Sequence, residues 1–292
     1  MSFLPDHALD HLRQVTETPD FSNTRYRIEA ELGRGGMGIV YQAWDSQLER
    51  AVALKVMDAG YAINQEGKLL AQLEHPGLAP VYDAGSLADG RVYYAMRLIQ
   101  GRSLDEFLRD EPSLTARLRI FQKICDAVAF AHHRGVIHCD LKPQNIMVGD
   151  FGEVFVVDWG VARTLESGPL PSAGTPHYMA PEQSGHGGPP LDVRTDVFAL
   201  GRILQDLMPP APPRPLEAIA QKATEPDAAG RFADVARLAA DVNLFLAGLP
   251  VTAYRDTPLE RLVRFCRQNQ VLLLLVGSYL AVKLLLFFLA PH

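Results

Sequence analysis

The spacing of hydrophobic and polar positions changes part-way along the chain. "YRIEAELG" (26–33) and "GIVYQAWD" (38–45) alternate apolar and polar residues around a glycine cluster, and "AVALKVM" (51–57) follows with β-branched and apolar residues. Alternation at a period of two, bounded by glycine, predicts β-strands, and "RVYYAMRLI" (91–99) reads the same way. The period then lengthens. "SLDE" (103–106) is a capping box, with Ser103 at the N-cap and Glu106 three positions on. Over 115–134, Leu118, Phe121, Ile124, Cys125, Val128 and Ala131 recur at helical spacing, and Gly135 stands where that helix should stop. "GVIH" (135–138) and "EVFVVD" (153–158) are short apolar runs typical of buried strands. From residue 192 the pattern is helical, interrupted at "MPPAPPRP" (208–215), where proline excludes a helix.

This order predicts an α+β chain with a small antiparallel β-rich lobe in front and a mostly helical lobe behind. The hinge should lie near Met96–Gly101, and the chain contains no internal repeat. At 292 residues there is ample material for a buried core. The net charge of -6 argues against a nucleic-acid partner, because binders of the phosphate backbone carry a basic excess. Cys125, Cys139 and Cys266 share no metal-ligand spacing, so reduced thiols in a cytosolic compartment are expected. No basic region followed by an apolar run opens the chain, so no cleaved secretion signal is expected.

The last apolar run changes the picture. "VLLLLVGSYLAVKLLLFFL" (271–289) carries one charge, Lys283, in 19 residues. As a helix it would extend roughly 28 Å, close to the ~30 Å hydrocarbon core of a bilayer. A transmembrane helix is expected there, with Lys283 snorkelling toward a surface. Arg255, Arg261, Arg264 and Arg267 precede it. The positive-inside bias then predicts a single-pass protein of the inner, cytoplasmic membrane with everything before residue 271 in the cytoplasm. Gly277 and Ala281, four apart, would let two such helices approach, so a homodimer is carried as an option.

Four stretches carry candidate chemistry. "GRGGMGIV" (33–40) places glycines at 33, 35 and 38 between two strand candidates, which would let backbone amides approach phosphates. Taken alone, such a cluster is more often just a tight turn. Lys55 stands inside an apolar strand, where a buried ammonium needs an anion or must snorkel. "HCDLKPQN" (138–145) gathers Asp140, Lys142 and Asn145: a proton acceptor, a cation for a phosphoryl group and an amide oxygen for Mg2+. "VVDWG" (156–160) adds Asp158, and oxygen ligands of this kind suit Mg2+ bridging phosphates.

In chain order, these stretches and "APE" (180–182) resemble the signature set of the bacterial eukaryotic-like (Hanks-type) serine/threonine protein kinases. "DVFALG" (196–201), "GRF" (230–232) and "RLAADVNLFLAGLPV" (237–251) are similar to later segments of that family. The resemblance implies the bilobal protein-kinase fold, ATP and Mg2+ (or Mn2+) as cofactors, and protein serine and threonine hydroxyls as substrates. It divides the chain into an N-terminal extension (1–25), a kinase domain (26–247), a basic juxtamembrane segment (248–270) and a transmembrane helix (271–289).

Roles follow by resemblance. Gly33, Arg34, Gly35, Gly36, Met37 and Gly38 would cover the ATP phosphates, with Val40 and Ala53 also at the nucleotide. Lys55 would contact the α- and β-phosphates, held by Glu66, because "EGKLLAQLEHP" (66–76) has the family's spacing. Met96 would back the adenine pocket, and backbone groups of Arg97 and Ile99 would bind the base. Asp140 would orient and deprotonate the substrate hydroxyl, Lys142 would meet the γ-phosphate, and Asn145 and Asp158 would hold Mg2+. Thr175 would hydrogen-bond Asp140 and Lys142, Glu182 would pair with Arg231, and Asp196 would brace the catalytic loop through its backbone.

Four departures accompany the likeness. Trp159 replaces phenylalanine and brings an N–H that needs a partner. The Lys55-to-Glu66 spacing implies a shortened helix, and the proline-rich stretch between Gly201 and Arg231 is short for substrate docking. Cys139 stands where the family often has arginine. The alternative these departures leave open is a pseudokinase, a nucleotide-binding scaffold without transfer.

Overall fold

The computed structural model describes residues 19–35, 38–57, 73–160, 162–164, 175–183 and 191–289. Gly36, Met37 and Glu66 lie outside the described residues. So does the helix expected to carry Glu66.

Five strands form the front lobe: β1 (Tyr26–Gly35), β2 (Gly38–Asp45), β3 (Arg50–Met57), β4 (Val81–Ser86) and β5 (Val92–Arg97). Their spatial order is β1-β2-β3-β5-β4, with every neighbouring pair antiparallel. β3 is central, and Val52, Ala53, Leu54, Val56 and Met57 are all buried. β4, "VYDAGS", was not expected from its composition. It is an edge strand recruited by its ladder to β5, and pairing there overrides a weak local preference.

The second lobe begins with β6 (Gly101–Ser103) and α1 (Leu104–Leu108), capped as expected: the Ser103 N–H donates to Glu106 Oε2 at 3.2 Å. α2 (Leu114–His133) is the long helix of the sequence pattern. Its Leu118, Phe121, Ile124, Cys125, Val128 and Ala131 are fully buried, and each large apolar side chain contributes about 2 kcal/mol of burial. Gly135 has φ +76°, the left-handed conformation that ends a helix most readily at glycine.

After α2 the chain makes β7 (Val136–Ile137), β8 (Ile146–Gly149), β9 (Val154–Val156) and β10 (Arg163–Thr164). β6, β8 and β9 form one small sheet and β7 pairs with β10. Three helices complete the lobe: α3 (Val193–Leu207), α4 (Arg214–Ala223) and α5 (Val235–Leu246). α4 corrects one expectation, since the helix begins inside "MPPAPPRP". Pro215 occupies its first turn, where the missing N–H has no helical partner to lose.

α6 (Pro258–Gln268) and α7 (Gln270–Leu289) follow. α7 contains the whole apolar run in one helix of 20 residues. Among the described residues no helix is long and apolar enough to cross a membrane. The side chains of residues 284–289, the distal part of that run, lie outside the described set.

Candidate active site

β3 carries Lys55 into the space between the lobes. In the ladder Lys55 faces Val40 of β2 and Tyr94 of β5, and its side chain is 5% exposed. Its Nζ donates to Asp158 Oδ1 at 2.9 Å, across 103 residues of sequence. Asp158, two residues past the end of β9, has φ +59°, in the left-handed region uncommon outside glycine. Burial alone would raise the Asp158 carboxyl, the largest single influence, but the charge and hydrogen bond of Lys55, with His138 and Lys142 nearby, together outweigh it. The net effect holds the acid below its ordinary range.

The loop between β7 and β8 brings the other three residues together. Asp140 Oδ2 accepts from Lys142 Nζ at 2.7 Å and from Asn145 Nδ2 at 3.3 Å. Asn145 Nδ2 also donates to the Asp140 carbonyl at 2.8 Å. With its nitrogen committed, the amide oxygen is what Asn145 can offer a cation. Asp140 Oδ1 accepts the backbone N–H of Thr175 at 3.2 Å. The expected Thr175 contact to Asp140 therefore runs through the amide, not the hydroxyl.

Asp196, fully buried at the start of α3, holds this loop. Its Oδ2 accepts the His138 N–H at 2.8 Å and its Oδ1 the Cys139 N–H at 2.9 Å. His132 Nε2 approaches Oδ2 at 2.8 Å. Burial would raise this carboxyl, yet these hydrogen bonds, led by that of His132, keep it below its ordinary value. Cys139 sits at φ +65°, a conformation uncommon outside glycine. His138 links the two acid-bearing segments. Its Nδ1 receives the Asp140 N–H at 3.3 Å and its Nε2 meets the Val157 carbonyl at 3.1 Å, a pattern satisfied by a neutral ring protonated on Nε2.

Gln183 was missed by sequence reasoning. Its Nε2 donates to the Cys139 carbonyl at 2.8 Å, while its Oε1 accepts the Ala180 N–H. Its only sequence signal is adjacency to "APE". Trp159 finds the partner its indole needs: Nε1 donates to the Val156 carbonyl at 3.1 Å, with the ring packed on His138. Glu182 and Arg231 form the expected pair, bidentate at 2.7 and 2.8 Å, with the Arg231 side chain fully buried.

The expected nucleotide positions line adjacent strands. Gln42 faces Ala53, which faces Met96, and Val40 lies beside Lys55. Arg97 donates its N–H to the Pro80 carbonyl at 3.1 Å, and Ile99 is half-buried in the connection to the second lobe. Gly33 and Gly35 end β1 in open space. Gly38 is different: with φ +130°, an added Cβ would lie 2.1 Å from the Val56 carbonyl. Among the described residues no group of three or more His, Cys, Asp and Glu side chains is gathered for a metal. Asn145 and Asp158 are hard oxygen donors of the type Mg2+ takes when phosphates complete its shell, so the donor chemistry fits.

The protein kinase domain family matches residues 26–237. The chain belongs to the protein kinase family. Among curated proteins it is similar to the serine/threonine-protein kinase PknD of Protochlamydia amoebophila, 34% identical over 226 residues. PknD of Chlamydia muridarum is 38% identical over 232 residues. The probable serine/threonine-protein kinase PknB of Lactococcus lactis is 31% identical over 262 residues. These matches take in 63%, 63% and 75% of this chain and only 23%, 24% and 41% of the relatives, so the chain spans less than half of their length.

Proposed function

We propose that the protein is an active serine/threonine protein kinase, transferring the γ-phosphate of ATP to protein hydroxyls with Mg2+. The observation that carries this reading is the convergence of Lys55, Asp158, Asp140, Lys142 and Asn145, from three separate segments, on one cleft. A pseudokinase would have no need for all five.

In this reading Asp140 accepts the proton of the substrate hydroxyl, and its Oδ1, held by the Thr175 amide, is oriented before substrate arrives. Lys142 neutralises charge on the transferring group and, at 2.7 Å, keeps Asp140 in register. Lys55 clamps the α- and β-phosphates, and Val40, Ala53 and Met96 with the backbone of Arg97 and Ile99 receive the base. Asn145 and Asp158 would hold Mg2+, which when bound shields the phosphate charges. Residues 26–247 form the catalytic domain.

We also propose that 271–289 anchors this domain to the cytoplasmic membrane, with 248–270 as the basic segment beside it. The support is the single-helix continuity of α7 and the arginines that precede it.

Incubation of the full chain, in detergent, with labelled ATP, Mg2+ and a general protein acceptor tests the catalytic reading. Label on serine or threonine that vanishes in Asp140→Asn supports it. ATP binding without any transfer by the wild type would replace it with the scaffold reading.

A further inference from the structure

α6 is amphipathic in the wrong sense for a helix packed on a soluble domain. Its polar residues Glu260, Arg264 and Gln268, four apart on one face, turn toward the segment 248–256 that leads out of α5. Glu260 accepts from the Tyr254 hydroxyl at 3.1 Å, Arg264 donates to Asp256 at 2.9 Å, and Gln268 reaches the Gly248 carbonyl at 3.4 Å. The apolar residues point away: Leu259, Leu262, Val263 and Phe265 are 70, 58, 49 and 54% exposed. Cys266, on the same side, is exposed as well. A contiguous exposed apolar face of this kind marks an interaction surface.

The segment joining α6 to the domain is pinned. Asp241 of α5, almost fully buried, accepts the N–H and hydroxyl of Thr252 and the N–H of Ala253, all at 2.9 Å. Tyr254 packs on the main core and ties to Glu260. Thr257 caps the helix, and Glu260 returns a bond to the Thr257 N–H at 2.8 Å. The direction of the apolar face is therefore set by the joining segment, which Asp241 and the core hold in place.

We infer that α6 lies in the interfacial layer of an anionic bilayer, apolar face inward, and so fixes the orientation of the catalytic cleft relative to the membrane. This rests on the proposed anchoring by α7. Two features select lipid as the occupant. α6 passes within two residues into the apolar α7, so the membrane that holds one helix adjoins the other. Arg255, just ahead of α6, and Arg261, within it, are exposed, and anionic headgroups would complement them.

The test uses the full chain in vesicles of phosphatidylcholine with about one-third phosphatidylglycerol. Cys266 takes an environment-sensitive fluorophore, since Cys125 and Cys139 are buried. A second sample carries the probe at position 261 (Arg261→Cys with Cys266→Ser). We expect shallow brominated lipids to quench the Cys266 probe about three-fold more than the position-261 probe, which aqueous iodide should reach instead. Chain that floats with vesicles while iodide quenches both probes alike would overturn the inference and leave the anchoring intact. Shielding of Cys266 from both quenchers would assign the face to a second copy and overturn the lipid assignment. Chain that does not float with vesicles would overturn the anchoring reading, and the placement of α6 with it.

Discussion

Asp196 Oδ1 accepts the backbone N–H of Cys139 at 2.9 Å, 57 residues earlier in the chain. Together with the bond to the His138 N–H, this holds a left-handed residue immediately before Asp140. Asp196→Asn keeps the shape but sets an NH2 group against one of the two loop N–H donors and removes the buried charge. The expected loss of stability is about 3–5 kcal/mol, as for removal of one partner from a buried charged network. Urea unfolding measures it, and an unchanged midpoint would contradict the bracing role.

The same loop predicts separable effects on catalysis. Asp140→Asn should lower transfer by about 10²–10⁴ with ATP binding retained, because only proton acceptance and orientation are lost. Asp158→Asn removes the negative charge that faces Lys55 and would hold the cation, so Mg2+-ATP affinity should fall by about ten-fold or more. Titration with a fluorescent ATP analogue, with and without Mg2+, distinguishes the two. Equal nucleotide affinities in both variants would refute this division of labour.

Cys139 has two consequences. At φ +65°, glycine removes strain but loses a small buried side chain, so Cys139→Gly should stay within about 1 kcal/mol of wild type. Cys139→Val, β-branched, should cost about 2–3 kcal/mol at that backbone angle. Thermal unfolding of the pair decides, and a valine variant as stable as the glycine one would count against it.

A buried thiol also cannot pair with a phosphate dianion as an arginine would. Activity should then be independent of phosphorylation in 158–182. The triple variant Thr164→Ala, Ser167→Ala, Ser172→Ala is expected within a few-fold of wild type in initial rate. A hundred-fold loss restored by acidic substitution would show that another cation has taken over.

The Glu182–Arg231 pair gives an acid-stability prediction. Burial would raise the Glu182 carboxyl, but the bonds from Arg231 hold it below its ordinary 4.5, and Asp196 likewise lies below 3.8. A carboxyl depressed in the folded state contributes its full stability above its unfolded value. That contribution declines as pH falls below about 4.5 and is gone below the folded values. Glu182→Gln should flatten this acid limb. Arg231→Met should cost more, about 3–5 kcal/mol, because Arg231 also donates to the Glu225, Arg194 and Pro226 carbonyls. Unfolding midpoints between pH 3 and 6 provide the check.

The residue pattern by itself determined the order of elements, the buried face of α2, the stop at Gly135 and the short strands on either side of the loop that carries Asp140. These depend on period and turn chemistry, which are local. The same is true of Asp140, Lys142 and Asn145, which share one loop. The pairing of Lys55 with Asp158, the capture of two loop amides by Asp196 and the hold of Gln183 on Cys139 span 44 to 103 residues. Resemblance suggested the bracing by Asp196, but the geometry arises only when α3 packs beside β7. β4 went unread because an edge strand of "VYDAGS" is made by its neighbour β5, not by its own propensity. The outward turn of the apolar face of α6 was likewise invisible, for amphipathic spacing states that a helix has two faces and not which one the domain takes. Contacts from Gly248, Tyr254 and Asp256 of the joining segment, fixed once that segment packs on the core, claim the polar side, and that choice decides what α6 can meet.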